Sequence, residues 1–358
     1  MIACVIGTRP EVIKMAPIIL ALRRHQIPHR VIGTGQHHDW RMMGSFLGDF
    51  ELAVDHQLVV ESPTLLDSFV SITAGLGKLF AELRPGLVLA VGDTTTVIAA
   101  AFAARKSGCG FGHVEAGLRA FSRELPEEEH RICADALADL LFAPTPIAVA
   151  NLTREHVNGR VIHTGNTVLD ALVHHPPPPA KERRGILVTL HRQETVDDPQ
   201  RLASVLAAVE QLGCNHEVMW PLHPRTRAKI LQAELQIPAS IVASDPLDHG
   251  SFLARLASAR IVVTDSGGVQ EEAAILGTPC VAVREYTERI ETIEAGVGLL
   301  ASTDTDEILA AVSEILDEWP RFARRVPELY GDGRAGEKIV QACLEWLARD
   351  LPQRVRVA

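Results

Sequence analysis

The chain has 358 residues, more than one domain usually spans, so two domains of ordinary size are expected. Its 47% hydrophobic and 22% charged residues are those of a globular protein, and no apolar run approaches the roughly 20 residues that a membrane-crossing helix needs. A formal charge of −10 argues against a nucleic-acid binder, which relies on summed positive charge, so an anionic ligand would have to be met by local arginines and backbone amides.

The six cysteines (Cys4, Cys109, Cys133, Cys214, Cys280, Cys343) form no C-x-x-C pair and mostly fall inside apolar patterns. Reduced, buried thiols are expected, and a zinc site is not. Met1 leads directly into a short strand pattern rather than into a basic and apolar leader, so a cytoplasmic location is expected.

Apolar runs of four to seven residues alternate with longer helical patterns along the whole chain, as βαβ units and parallel sheets require. The first strand is expected at Ile2–Ile6 and ends in Gly7-Thr8-Arg9-Pro10-Glu11. Pro10 suits the first turn of a helix over Glu11–Arg24, which places Arg9 and Lys14 near a helix N-terminus, where cation and dipole act together on an anion.

Strands at Arg30–Gly33 and Leu87–Val91 follow, with a helix over Leu65–Leu83 between them. The latter strand ends in Gly92-Asp93-Thr94-Thr95-Thr96 and leads into a helix over Thr96–Arg105. The next, Gly110–Val114, ends in Glu115-Ala116-Gly117-Leu118-Arg119, so Asp93 and Glu115 share one sheet edge. Asp93 also suits a helix cap and Glu115 a salt bridge to Arg119. Pro126-Glu127-Glu128-Glu129-His130-Arg131 adds three carboxylates at the start of a helical pattern, Glu128–Asp139, where such acids often serve only the dipole. Strands at Leu141–Ala143 and Arg160–His163 complete the first set.

A stiff segment, His174-His175-Pro176-Pro177-Pro178-Pro179, marks the crossing to the second set. The domains are expected at 1–165 and 166–339, with the terminal segment 340–358 returning to the first. The second set runs through Gly185–Leu190, Glu217–Pro221, Ser240–Ala243, Ile261–Thr264, Pro279–Val283 and Gly298–Ala301. His191-Arg192 and His223-Pro224-Arg225 follow the first two strands, and histidine beside arginine at a strand's carboxyl end suits a diphosphate with a proton to move. After Ile261–Thr264 come Asp265-Ser266-Gly267-Gly268, a two-glycine turn into a helix whose free N–H groups suit a phosphate. Glu272, one and a half turns on, can accept from ribose hydroxyls or simply face solvent. Two Rossmann-like, doubly wound parallel-sheet domains of the α/β class are thus expected, with ligand-binding strand ends facing a cleft.

Taken in order, Gly7 to Glu11, Thr34-Gly35-Gln36-His37, Gly92 to Thr96, His113 to Arg119, Pro126-Glu127-Glu128, Gly165-Asn166-Thr167, Asp265 to Glu272 and Thr287-Glu288-Arg289 resemble the non-hydrolysing UDP-N-acetylglucosamine 2-epimerases over nearly the whole chain. The resemblance implies a glycosyltransferase-B-like fold, a homodimer, and interconversion of UDP-N-acetylglucosamine and UDP-N-acetylmannosamine with neither metal nor nicotinamide. It also implies roles for Asp93, Glu115, Glu127 and His191 in catalysis. Arg9, Lys14, His223, Ser266, Gly267, Gly268, Glu272 and Arg289 would bind the UDP-sugar, and Gln36 and His37 would meet a second, activating UDP-sugar.

The chain departs from the family pattern at Gln193 and Thr195, where a further cation and an asparagine are usual, and at Ile290, where a proline is usual. Those changes bear on the nucleotide and on the sugar's C3 and C6 substituents more than on the reaction. The rivals are a 2-epimerase of a modified sugar, a hydrolysing epimerase, a glycosyltransferase of like architecture, and a sensor that binds without turnover.

Overall fold

A computed structural model describes residues 1–35, 47–48, 50–60, 64–122 and 125–349. The described residues divide into two compact units, those up to 174 with 330–349, and residues 175–329. The first unit extends past residue 165 because the helix Thr167–His174 packs on the helix Arg9–Arg24, and Asn166 N–H bonds Tyr330 O at 2.8 Å.

In the first unit the strands are β1 (Ile2–Ile6), β2 (His29–Gly33), β3 (His56–Gln57), β4 (Leu87–Val91), β5 (Gly110–Val114), β6 (Leu140–Ala143) and β7 (Arg160–His163). They form a parallel sheet in the order β3-β2-β1-β4-β5-β6-β7. Every residue of β1, β4 and β5 is buried, because helices cover both faces and the strands must be apolar on both sides.

Alternate residues supply two cores. Ile2, Cys4 and Ile6 face the helix Arg9–Arg24 and the terminal helix Ala335–Arg349, whereas Ala3 and Val5 face the layer with Leu65–Leu83 and Thr95–Lys106. The terminal helix docks closely because Gly110 leaves room for the Trp346 ring, which a Cβ there would meet at 2.2 Å. The strand order reverses between β1 and β4, the switch point at which folds of this kind bind ligands.

The second unit holds β8 (Arg184–Thr189), β9 (Val218–Pro221), β10 (Val242–Ser244), β11 (Ala259–Thr264), β12 (Cys280–Val283) and β13 (Gly298–Ala301). All are parallel, in the order β10-β9-β8-β11-β12-β13, and the order reverses between β8 and β11. Ile186, Val188, Ile261, Val263, Val281 and Val283 build the core beneath the helices Pro199–Asn215 and Thr305–Asp317.

All six cysteines are free, but Cys133 and Cys214 are exposed, which corrects the expectation of generally buried thiols. Both lie on outer helix faces, where the surrounding apolar pattern faces inward. Burial pushes the Cys4 and Cys280 thiols up to about 12, so both stay protonated.

Candidate active site

The carboxyl edge of the first sheet carries a connected set of charges. β1 ends at Ile6, Gly7 turns the chain, and Thr8 stands at the N-cap of the helix Arg9–Arg24, where Glu11 reaches back to the Thr8 N–H. Glu11 is buried and accepts from Gly7 N at 2.5 Å, Thr8 N at 3.1 Å and the Thr94 hydroxyl. The turn after β1 is thereby tied to the turn after β4, across the switch point. Burial outweighs those donors and raises the Glu11 carboxyl to about 7, with the Asp93 charge adding to the rise.

Arg9 opens this helix and is exposed. Lys14 lies deeper, its ammonium 2.6 Å from Glu115 Oε2, and both side chains are nearly removed from solvent. Its charge is thus set against a carboxylate rather than standing at the helix terminus as the sequence pattern implied. Glu115 sits at φ 66, a left-handed conformation costly for a non-glycine residue. It partners Lys14, while Arg119 takes Asp135 at 2.7 Å and Glu155 at 2.6 Å.

Asp93 does not cap the helix Thr95–Lys106; Thr94 does, accepting from Thr96 N. Asp93 Oδ2 receives Arg131 Nε at 3.0 Å and a terminal guanidinium nitrogen at 2.5 Å. The other terminal nitrogen of Arg131 reaches Glu128 at 2.7 Å, and Glu128 also accepts from Ala120 N and Phe121 N. Glu127 is half-buried on the first turn of the helix Pro126–Leu137, next to Glu128.

His113, fully buried on β5, braces the same edge. Its Nε2–H donates to Gly92 O at 2.8 Å, and Nδ1 is 2.6 Å from Asp135. Burial alone would raise the Asp135 carboxyl, but His113 and Arg119 hold it below the usual carboxylate range. The first unit therefore gathers Arg9, Asp93, Glu115 and Glu127 at one sheet edge. Glu11, Arg131 and Glu128, to which the sequence analysis gave no site role, tie the turns of this edge together and hold Asp93, while Lys14 holds Glu115.

In the second unit, β11 ends at Thr264 and Asp265 is fully buried. Its carboxylate accepts from His191 N at 2.9 Å and Arg192 N at 2.8 Å, which fixes the turn after β8 beside the turn after β11. The His191 and His223 rings are 5.2 Å apart. His223 caps the helix Pro224–Gln232, its Nδ1 accepting from Arg225 N at 3.2 Å, so its Nε2 carries the proton.

Ser266 precedes the helix Gly267–Leu276, whose first N–H groups have no intrahelical partner and point past the turn. A Cβ on Gly267 would come within 2.7 Å of Glu288, whereas one on Gly268 would meet nothing within 4 Å. Glu288 is locked to Arg284 at 2.7 Å, and Arg289 is buried against Glu271 at 2.6 Å. Arg289 thus sits within a buried ion pair behind the turn. Glu272 Oε1 is 2.9 Å from His249 Nε2, a partner that sequence reasoning did not find because 23 positions separate the two.

Gln36 and His37 lie outside the described residues. Among the described residues no cluster of three or more His, Cys, Asp or Glu is placed to hold a metal ion, and no helix is long and apolar enough to cross a membrane.

A family model described as UDP-N-acetylglucosamine 2-epimerase matches residues 20–344. A UDP-N-acetylglucosamine 2-epimerase of Methanococcus maripaludis is 35% identical over 95% of this chain and 97% of its own. A UDP-2,3-diacetamido-2,3-dideoxy-D-glucuronate 2-epimerase of Pseudomonas aeruginosa is 32% identical over 95% and 98%. The crystal structure of the Methanocaldococcus jannaschii UDP-GlcNAc 2-epimerase, in complex with UDP-GlcNAc and UDP, matches with a TM-score of 0.89 at 32% identity, covering 96% of this chain and 99% of that one. The likeness extends over both parallel-sheet units, as a glycosyltransferase-B-like fold requires.

Proposed function

The chain belongs to the UDP-N-acetylglucosamine 2-epimerase family, and from that premise we propose that it interconverts UDP-N-acetylglucosamine and UDP-N-acetylmannosamine without net hydrolysis. The C2 hydrogen of the sugar has no neighbouring carbonyl to acidify it. Cleavage of the C1–O bond must therefore precede or accompany its removal: UDP departs, the C2 proton is taken by a base, and an unsaturated glycal remains. Protonation of C2 on the opposite face and return of UDP to C1 complete the inversion. Atoms balance without a cofactor.

The observation that carries this reading is the acid set at the carboxyl edge of β4 and β5. Asp93 is held by Arg131 and Glu115 by Lys14, as proton transfer at C2 requires of positioned groups, and Glu127 stands on the first turn of the helix that carries Arg131. Arg9, His191, the Ser266 hydroxyl and the amides of Gly267 and Gly268 serve the departing diphosphate, with His223 beside His191 and the Ser266 N–H spent on Thr264 Oγ1 at 3.0 Å. Lys14 acts on the substrate by holding Glu115 in place, and Arg289 by bracing the turn through Glu271. Glu272, whose described hydrogen bonds use only Oε1, takes a ribose hydroxyl on its other oxygen. Gln36 and His37 remain assigned to a second UDP-sugar.

The same premise supports a homodimer, for which the exposed row Leu65, Leu66 and Val70, with Phe102 packed on Phe69 at 5.8 Å, offers an apolar face. Mass measurement in solution tests that assembly. The six free thiols suit a cytoplasmic enzyme.

A second reading is favoured by the Pseudomonas aeruginosa relative: the same inversion on a UDP-sugar altered at C3 and C6. Proton NMR of each candidate UDP-sugar in deuterated buffer decides. Epimer formation with deuterium at C2 is expected. Release of free N-acetylmannosamine would make the enzyme a hydrolysing one, and absence of any exchange would make it a sensor.

A further inference from the structure

We propose that His249 is a positioning residue for nucleotide recognition, which holds one oxygen of Glu272 so that the other is presented to a ribose hydroxyl. The inference rests on the assignment of Glu272 to the ribose. Glu272 lies on the helix that follows the Gly267-Gly268 turn, and His249 opens a separate helix, His249–Ser258. The two side chains meet at 2.9 Å with relative exposures of 13% for His249 and 9% for Glu272.

A carboxylate can only accept, so Nε2–H of His249 is the donor and its tautomer is fixed by the contact. A glutamate has three rotatable side-chain bonds, and a carboxylate left without this donor would lose its partner and its fixed direction together. His249 itself is anchored at the helix start, where Asp248 accepts from Ser251 N at 2.9 Å and prevents fraying. The ordering of Glu272 is therefore complete before a nucleotide arrives, which is how preorganisation adds affinity without adding a contact.

The test compares binding of UDP with that of 2′,3′-dideoxy-UDP by calorimetry on the full chain. His249→Ala is expected to weaken UDP about ten-fold, in line with loss of a hydrogen bond to a charged group, while leaving the dideoxy nucleotide unchanged. His249→Gln, whose amide can still donate to Glu272, is expected to recover most of that loss, and Glu272→Gln to reproduce the His249→Ala pattern. A general structural defect would weaken both nucleotides alike and would overturn the proposal. So would unchanged UDP binding in His249→Ala while Glu272→Gln still discriminates. Failure of Glu272→Gln to discriminate would instead remove the ribose assignment beneath it.

Discussion

Lys14 Nζ lies 2.6 Å from Glu115 Oε2 inside the first unit, although 101 positions separate the two residues. The pair ties the helix after β1 to the turn after β5, and it accounts for a glutamate at φ 66 in a turn where glycine would be unstrained. Removal of either partner takes away a counterion 2.6 Å from a buried charge. Lys14→Met and Glu115→Gln are each expected to cost about 3 kcal/mol in denaturant unfolding, and the double variant less than the sum. Strictly additive costs would show that the two are not coupled. Turnover is expected to fall by about a hundred-fold or more in both single variants, because the proposed proton-transfer acid is lost in one and released in the other.

Asp93 depends on Arg131 in a different way. The guanidinium gives Asp93 two N–H groups and Glu128 a third, so one side chain fixes the direction of the acid and of the loop carrying Ala120 and Phe121. Asp93→Asn is expected to lower kcat by about a hundred-fold or more with UDP affinity nearly unchanged, since the amide keeps the shape and loses the base. Arg131→Lys cannot reproduce the fork, and a loss of about ten-fold in kcat is expected. NMR turnover assays and calorimetry with UDP measure the two effects separately.

The strands that matter most were legible in the sequence because parallel strands covered on both faces are continuous apolar runs. β1, β4 and β5 occupy the residues their patterns indicate. β3, His56–Gln57, carries no such signal: it is a two-residue polar strand at the sheet edge. β10 lies two residues later at its start than the pattern suggested, again at an edge, where exposed residues leave the register weakly marked. Strand-terminal residues could be placed because a strand that ends at a Gly-Asp or Ser-Gly-Gly turn says where its next side chains point. What they bond to could not. Arg131 could have paired with any of several acids near it, and only the fold brings Asp93, 38 positions away, against it. Lys14 read as a cation for the ligand for the same reason, since its helix was visible and its partner in the turn after β5 was not.

Glu11 predicts a pH dependence of stability. Its carboxyl is at about 7 in the folded protein, raised chiefly by burial, against 4.5 for an ordinary glutamate. Between those values the folded protein keeps a proton that the unfolded chain releases, so this contribution is fully present below pH 4.5 and is lost as pH rises through about 7. The wild-type protein is expected to lose melting temperature over that window relative to Glu11→Gln, which has no proton to lose at this position. A difference in Tm between the two that stays constant from pH 5 to pH 8 would remove Glu11 as its source.

Gly267 and Gly268 separate a structural from a ligand-facing role within one turn. A methyl group on Gly267 would press to 2.7 Å from Glu288 Oε1, and that carboxylate is held by Arg284 in an almost fully buried pair, so it cannot step aside without breaking an ion pair. Gly267→Ala is expected to lower the melting temperature by several degrees, as a buried strain of about 1–3 kcal/mol would. A methyl group on Gly268 meets no protein atom within 4 Å. Gly268→Ala is therefore expected to fold with an unchanged melting temperature, or a slightly higher one from the better helix former. Its effect should fall on UDP, because a diphosphate seated on the helix N-terminus approaches the backbone where the new methyl would stand. A loss of about ten-fold or more in UDP affinity with intact stability is the expected outcome, read by calorimetry and thermal unfolding on the same sample. Full UDP affinity in Gly268→Ala would place the diphosphate elsewhere.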